Sequence, residues 1–174
     1  MKNFEWRLYS LVNLYMAGIH AGIQTGHAAV EMGLKYSRRM PGSVSEKNYR
    51  TWAEDHKTFV VLDGGHMSNL LKVEELFCNS AGSFPHASFR ESEDALNNAL
   101  TAVAIVVPEW IFKYDVETDN GKYTYEEDGI IRTVHLSGHH ILIAKELRKY
   151  RLKGAYNANC FEQVSRICTT HHVL

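Results

Sequence analysis

The sequence predicts an α/β fold, a three-layer-like sandwich in which a four-stranded mixed β-sheet is flanked by helices. Short apolar segments typical of strands alternate with amphipathic segments typical of helices over the first 108 residues. Residues 101–107 (TAVAIVV) are almost entirely apolar, which indicates a buried strand. A turn signal, Asp119-Asn120-Gly121, then introduces a β-hairpin and helix extension. We therefore expect a core at 1–108 and an extension at 109–174, packed on the same domain.

The first half of the core is predicted to run strand–helix–helix. Bulky and polar residues alternate over 6–14, which predicts the first strand. A helix is predicted over 20–35, and a second over 45–54 with Ser45 as its cap, after the chain break at 40–43. The first helix carries an apolar set at helical spacing that should face the core: Ile19, Ile23, Gly26, Val30 and Leu34.

The second half of the core is predicted to run strand–helix–strand–strand. Its segments are a strand at 57–62, an amphipathic helix at 67–78, a strand at 84–90, a polar loop at 91–100 and the buried strand at 101–107. The strand at 57–62 ends at Asp-Gly-Gly, and Pro108 stops the last strand.

The extension is predicted to contain a hairpin and two helical segments. Residues 110–117 and 122–135 alternate on either side of the turn at 119–121. Helical patterns follow at 139–152 and at 158–167.

Composition is ordinary for a globular protein: 45% of the 174 residues are hydrophobic and 22% are charged. Three widely spaced cysteines, Cys78, Cys160 and Cys168, argue against a disulfide framework. No apolar stretch approaches the ~18 residues of a membrane helix, and the N-terminus does not resemble a secretory signal. We therefore expect a cytoplasmic protein with reduced thiols and no membrane partner.

Charge counts mildly against a nucleic-acid ligand, because the net charge is −1 and proteins that bind nucleic acid are usually basic. A local basic run interrupts that balance. Its members are Lys145, Arg148, Lys149, Arg151 and Lys153. The run is either a solvated helix end or a surface for the RNA backbone.

The predicted first helix carries a polar stripe. His20, Gln24, His27 and Glu31 are spaced i, i+4, i+7 and i+11, so they share one face. Such a stripe is commonly the solvent face of a helix. Because it begins where a helix follows a strand, it is also well placed for an anionic or carbonyl-bearing ligand. The spacing of His20, His27 and Glu31 is too long for one metal ion, so no metal site is expected.

Residues 14–30 resemble the peptidyl-tRNA hydrolase 2 family. Members of that family carry a Leu-x-Met turn and then a helix reading roughly Gly-Lys-x-x-x-Gln-x-x-His-Ala-Ala-Val. The positions matched here are Leu14, Met16, Gln24, His27, Ala28, Ala29 and Val30. The similarity continues weakly to residue 108, with matches at 89–94 and 100–104.

The resemblance implies a hydrolase that cleaves the ester between a peptide or blocked amino acid and tRNA, without a cofactor. It implies tRNA or peptidyl-tRNA as the partner, and is compatible with a homodimer. It assigns catalysis to His20, Glu91 and Thr101, and substrate contact to Gln24 and His27. For further substrate contacts the candidates are Asp94, also an alternative to Glu91, and the basic residues Lys145, Arg148 and Lys149.

Two departures from the family pattern favour a different function. His20 stands where the family has lysine, and a histidine is not a permanent point charge. The loop before the last core strand also differs, reading Arg90-Glu91-Ser92-Glu93-Asp94. The alternative is a non-catalytic module on the same fold that binds a nucleotide, a tRNA end or a protein.

Overall fold

The computed structural model describes residues 4–39, 41–82 and 84–153, and the helical segment predicted at 158–167 lies outside them. The strands are β1 (Trp6–Val12), β2 (Thr58–Asp63), β3 (His86–Arg90), β4 (Leu100–Pro108), β5 (Lys122–Glu127) and β6 (Ile130–His135). The α-helices are α1 (Ile19–Leu34), α2 (Val44–Thr51), α3 (Met67–Ser80), α4 (Glu93–Leu96), α5 (Glu109–Phe112) and α6 (Gly138–Arg148). π-Helical turns extend α1 and α2, over Lys35–Arg39 and Trp52–His56.

The predicted four-stranded mixed sheet is confirmed, with strand order β2-β1-β4-β3. β1 pairs in parallel with β2, and β4 runs antiparallel to both β1 and β3. Val12 lies opposite both Asp63 and Ala102, so β1 and β2 end where β4 begins. The carboxyl ends of β1, β2 and β3 therefore meet at one edge of the sheet.

Helices cover both faces of this sheet, as the prediction requires. All nine residues of β4 are buried. Ala102, Ala104 and Val106 pack in a cluster with Met32 of α1 and Trp52. On the other face, Val103, Ile105 and Val107 pack with residues from α3, α5 and α6, including Phe77, Ile111, Ile143 and Leu147.

The predicted apolar face of α1 is wrong. Ile19, Ile23, Val30 and Leu34 are exposed, whereas the buried residues are Ala21, Gln24, Thr25, Ala28, Ala29 and Met32. Small residues dominate the buried set, which lets the helix axis lie close to the sheet. Thr25 adds a buried hydrogen bond of 3.0 Å to the Ser10 hydroxyl of β1. Polar pairing and close approach thus outweigh the larger side chains in orienting this helix.

Element boundaries in the first core half differ from the prediction at α2. The helix is capped by Ser43, whose hydroxyl accepts the Glu46 N–H at 3.0 Å, and not by Ser45, which is buried. Ser43 precedes the first helical residue and has an extended backbone, which is the geometry of an N-cap.

The extension differs from the prediction at its start and at its turn. Residues 110–117 do not form a strand, because α5 buries Ile111 and the following loop buries Tyr114 beneath the sheet. The hairpin turns at Asp128-Gly129, where both residues have positive φ, rather than at 119–121. The Tyr114 hydroxyl accepts the Gly121 N–H at 2.8 Å, which ties the predicted turn to the core.

The segment after α6 covers the outer edge of β2. The Asp63 N–H donates to the Arg151 carbonyl, and the Lys153 N–H donates to the Val61 carbonyl, both at 2.8 Å. Leu152 forms a β-bridge with Leu62 between these two bonds. An edge strand that would otherwise expose its backbone groups is therefore occupied by the chain itself.

The imidazole of His86 in β3 lies between the Phe84 carbonyl and the Lys35 ammonium. Its Nδ1 lies 3.2 Å from the Phe84 carbonyl, and its Nε2 lies 3.2 Å from the Lys35 ammonium. The Lys35 ammonium also donates to the backbone carbonyl of His86 at 3.1 Å, and the Tyr36 hydroxyl accepts the backbone N–H of His86 at 3.2 Å. Burial first, and the Lys35 charge second, lower the pKa of His86 below its ordinary value of 6.5.

Among the described residues, no helix is long and apolar enough to cross a membrane.

Which face of α1 is buried can be tested by two truncations. Met32→Ala should lower the free energy of unfolding by about 2–5 kcal/mol, because Met32 is fully buried. Val30→Ala, two residues away and 60% exposed, should change it by less than about 0.5 kcal/mol. Urea unfolding followed by circular dichroism measures both. Equal costs would contradict the observed orientation.

His86 makes stability depend on pH. Because its pKa is lowered in the folded state, the unfolded chain takes up the proton first as pH falls through about 6.5. We expect the unfolding midpoint in urea to drop between about pH 7.5 and about pH 5.5, and to drop less in His86→Gln. His135→Gln, which alters an exposed histidine of β6, should retain the wild-type dependence.

Candidate functional site

The candidate site lies at the sheet edge where β1 and β3 end and β4 begins. The chain leaves β1 at Asn13, whose N–H donates to the Thr101 carbonyl at 2.9 Å. It then turns through Gly18, which has the positive φ of +54° that favours glycine, and enters α1. The first turns of α1 are thereby fixed above this edge.

Three predicted site residues meet there in one hydrogen-bonded network. The Thr101 hydroxyl donates to Gln24 Oε1 at 2.9 Å, and Gln24 Nε2 donates to Glu91 Oε1 at 2.7 Å. Gln24 is 6% exposed and Thr101 is 1% exposed, while Glu91 is half-buried. The carboxylate is therefore the member of the network that a ligand reaches most easily.

The orientation of the Gln24 amide follows from its two partners. A carboxylate only accepts hydrogen bonds, so the amide nitrogen must face Glu91. The amide oxygen then faces Thr101, whose hydroxyl hydrogen it accepts. The reverse orientation would place two oxygens against each other at Glu91. One N–H of the Gln24 amide remains after these bonds are formed.

A β-bulge brings Thr101 to the α1 side of the sheet. The pairing of β3 with β4 changes register between Phe89 and Arg90, where Phe89 lies opposite Ala102 and Arg90 lies opposite Leu100. Thr101 therefore has no directly opposed residue on β3. Strict alternation would place it on the face of Val103, away from α1, and the bulge redirects it.

Glu91 is positioned by the short connection from β3 to β4. Its N–H donates to the Ala99 carbonyl at 3.0 Å, which closes the loop at its base. Within the loop, the Ser92 hydroxyl caps α4 by accepting the Ala95 N–H at 3.2 Å. The backbone around the carboxylate is therefore ordered by hydrogen bonds on both of its sides.

The two histidines of α1 flank Gln24 and are both exposed. His20 lies in the first helical turn, four residues before Gln24. His27 lies three residues after Gln24, and its ring centroid is 4.4 Å from that of Phe89. His27 thus contacts the strand that leads to Glu91 through a ring contact, a partner that sequence reasoning did not identify.

The remaining predicted site residues do not join this network. Asp94 is exposed on α4. Lys145 and Arg148 lie on α6 and Lys149 directly follows it, and this helix packs on the opposite face of the sheet from α1. There, the Arg148 guanidinium donates to the Tyr114 carbonyl, the Lys149 ammonium lies 2.6 Å from a Glu146 carboxylate oxygen, and Lys145 is exposed.

The network can perform acid–base chemistry on a bound ester or bind a polar group without reaction. A half-buried carboxylate can hold a water molecule by a hydrogen bond and accept a proton from it, while the amide beside it keeps the carboxylate oriented. Among residues 4–39, 41–82 and 84–153, no group of three histidine, cysteine or acidic side chains is arranged to hold a metal ion.

No protein-family model matches the sequence, and no curated protein is significantly similar to it. The α/β fold by itself is compatible with many activities. The geometry of the site is therefore the basis on which its function is inferred.

Thr101→Val tests whether the network is held together as described. The substitution preserves side-chain shape but removes the hydroxyl, which leaves the buried Gln24 Oε1 without its donor. The free energy of unfolding should fall by about 1–3 kcal/mol. The control is Thr133→Val on the exposed face of β6, where the change should stay within about 0.5 kcal/mol. Equal effects would contradict a special role for the Thr101 hydroxyl.

Proposed function

We propose that this chain is a peptidyl-tRNA hydrolase 2-like enzyme that cleaves the ester between a peptide or blocked amino acid and tRNA. One observation supports the proposal most. Gln24, Glu91 and Thr101, which the family resemblance assigns to the site, come from three separate segments and form one hydrogen-bonded network. The tRNA partner, and the homodimer with which the resemblance is compatible, rest on the resemblance alone.

In this proposal, Glu91 is the general base. Its Oε1 is held by Gln24, and within the described residues no hydrogen bond engages its Oε2. A water molecule bound to Oε2 gives a proton to the carboxylate as its oxygen attacks the ester carbonyl carbon. The bond between that carbon and the ribose oxygen then breaks. The ribose oxygen takes the proton, so the products are the free acid and tRNA with a terminal hydroxyl.

Gln24 and His20 are the proposed donors to the developing oxyanion. The second N–H of the Gln24 amide is preoriented, because the other atoms of that amide are fixed by Glu91 and Thr101. His20 is exposed one helical turn before Gln24, at the N-terminal end of α1, where the first backbone N–H groups also point outward. Thr101 is a positioning residue that acts through Gln24.

Glu91 is preferred to Asp94 as the carboxylate because Asp94 makes no contact with the network. The proposed role of His27 is to shape the substrate surface with Phe89, against which its ring lies. Lys145, Arg148 and Lys149 contact RNA in this proposal only if the tRNA extends around the sheet edge to α6.

The second candidate function is a non-catalytic binding module. It is favoured by His20 in place of a family lysine and by the net charge of −1. In that case the network positions α1 against β4, and Glu91 contributes an acceptor for a ligand.

Release of tRNA from an N-blocked aminoacyl-tRNA tests the enzyme directly. We expect turnover that EDTA does not remove, and Glu91→Gln should lower kcat/KM by about 100-fold or more, since it removes the base but keeps an acceptor for Gln24. Glu93→Gln, which changes an exposed carboxylate two residues away, is the matched control and should retain activity.

His20→Ala separates the two candidate functions. Because His20 is exposed, its removal should leave the unfolding midpoint unchanged while turnover falls. A wild-type protein that binds tRNA in a salt-sensitive manner and releases none would overturn the enzyme and support the binding module.

A further inference from the structure

A large cleft lies beside the candidate site but does not include it. Its volume is about 1120 Å³, and it opens at the carboxyl ends of β1 and β2. Three segments contribute most of its lining: the start of α1 through Ala17, Gly18, Ala21 and Gly22, the β2–α3 turn through residues 63–66 and Asn69, and residues 149–153 after α6. Gln24, Glu91 and Thr101 are not among the lining residues.

Positive charge predominates in this cleft. Lys149, Arg151 and Lys153 line it, and Asp63 is the only acidic residue among its lining residues in the described chain. The Lys153 ammonium lies 3.5 Å from the Asp63 carboxylate and donates to the Leu14 carbonyl at 3.0 Å. Asp63 is therefore already neutralised by one of the three cations.

Arg151 is the cation available to a ligand. Lys149 is engaged by Glu146, whereas no ion pair or side-chain hydrogen bond engages Arg151 within residues 4–39, 41–82 and 84–153. Its backbone is nevertheless fixed, because its carbonyl accepts the Asp63 N–H at 2.8 Å. A guanidinium on a fixed backbone can bind a phosphate through two parallel hydrogen bonds.

The wall opposite α1 is held by a hydrogen-bonded set of side chains. Asn69 Nδ2 donates to the Gly64 carbonyl at 2.8 Å and to the Tyr150 hydroxyl at 3.0 Å. The Tyr150 hydroxyl donates to Glu146 at 2.6 Å. Burial, followed by the bond to Glu146, raises the pKa of Tyr150 to about 12, so the phenol remains a neutral donor. The cleft is thus preformed on this side.

The remaining lining suits a ring rather than a second charge. Leu14, Ala17, Ala21, Val61 and Leu152 supply apolar surface. His66 also lines the cleft and offers a ring for stacking; its ring centroid lies 5.9 Å from that of the exposed Tyr15, which is not a lining residue. The volume far exceeds what a phosphate ion needs and lies slightly above the range of roughly 300–1,000 Å³ that is typical of small-molecule pockets, so a whole nucleotide fits.

We infer that this cleft binds a nucleoside phosphate, with the phosphate at Arg151 and the base against the His66 and apolar side. The inference goes beyond the proposed ester hydrolysis and does not require it. The same chemistry is offered by a free mononucleotide and by the last nucleotide of a single-stranded RNA. The first turns of α1 and α3 add outward N–H groups that favour an anion in this region.

Two matched pairs of variants test the cleft. Gly22 and Gly26 are one turn apart on α1, and a side chain at either would meet no atom within 4 Å at its Cβ, yet only Gly22 lines the cleft. Gly22→Glu places a carboxylate in the cleft, and Gly26→Glu is its control. Arg151→Gln removes the available cation, and Lys122→Gln, which alters an exposed lysine of β5 outside the cleft lining, is its control.

The probes are adenosine monophosphate, adenosine, inorganic phosphate and a single-stranded RNA tetranucleotide, titrated calorimetrically into the full chain. We expect the mononucleotide or the tetranucleotide to bind, and Gly22→Glu and Arg151→Gln each to weaken binding by about tenfold or more. The two control variants should bind as the wild type does. Adenosine and inorganic phosphate should each bind more weakly than the nucleotide.

The outcomes distinguish a free mononucleotide from the end of an RNA strand as the ligand, and they can overturn the inference. Binding of the mononucleotide supports a free nucleotide site, and binding of the tetranucleotide alone supports an RNA end. Binding of neither, equal weakening by a variant and its control, or inorganic phosphate binding as tightly as the nucleotide would each overturn it. Activity of Glu91→Gln on the ester is measured separately, so failure of the hydrolase proposal does not affect this result.

Discussion

The double-sided burial of β4 is the constraint on which the rest of the structure depends. Every residue of the strand is buried, so its one hydroxyl, on Thr101, must find a partner inside the protein. The bulge opposite Phe89 and Arg90 turns that hydroxyl toward α1. Gln24 accepts the hydrogen bond from this hydroxyl through its amide oxygen, and its amide nitrogen donates to the half-buried Glu91 carboxylate. Together with the buried Thr25–Ser10 hydrogen bond and the small residues of the inner face, this hydroxyl fixes the rotation of α1 and the position of the candidate base.

The orientation of α1 leaves large apolar side chains exposed to solvent on its outer face. Ile19 is 76% exposed and Val30 is 60% exposed, while Gln24 and Thr25 are buried. Burial of the larger apolar residues would have placed the Gln24 amide in solvent and left the Thr101 hydroxyl with only its longer contact of 3.4 Å to the Phe89 carbonyl. Leaving a buried donor or acceptor unpaired costs about 1–3 kcal/mol. Small residues on the inner face also allow the close packing that brings Gln24 within reach of β4.

The extension gives the sheet edge a second candidate binding surface. Residues 151–153 pair with β2 and thereby bring Arg151 and Lys153 to the start of α1, far along the chain from the motif in 14–30. The hydrogen-bonded network lies on the β4 side of α1 and the basic cleft lies on the β2 side. Arg148 does not share in this surface, because its guanidinium bonds the Tyr114 carbonyl and secures α6 to the loop after α5. One helix start therefore separates a carboxylate-bearing site from a basic one.

The sequence by itself determined the α/β class and the four core strands, because strand periodicity is a local property. The family resemblance made Gln24, Glu91 and Thr101 candidates, but only the tertiary structure shows that they bond to one another and that Glu91 rather than Asp94 joins them. The sequence did not determine the inner face of α1, since apolar spacing alone cannot register that Thr101 needs Gln24. It also misplaced the hairpin turn, because Asp119-Asn120-Gly121 and Asp128-Gly129 are both good turn sequences, and the burial of Ile111 and Tyr114 decides between them. The gathering of Arg151, Lys153 and Gly22 around one cleft depends on strand pairing between residues about 90 positions apart, as Leu62 and Leu152 show. Only tertiary structure decides such contacts, because their energy comes from groups that are remote in sequence and meet after the sheet has formed.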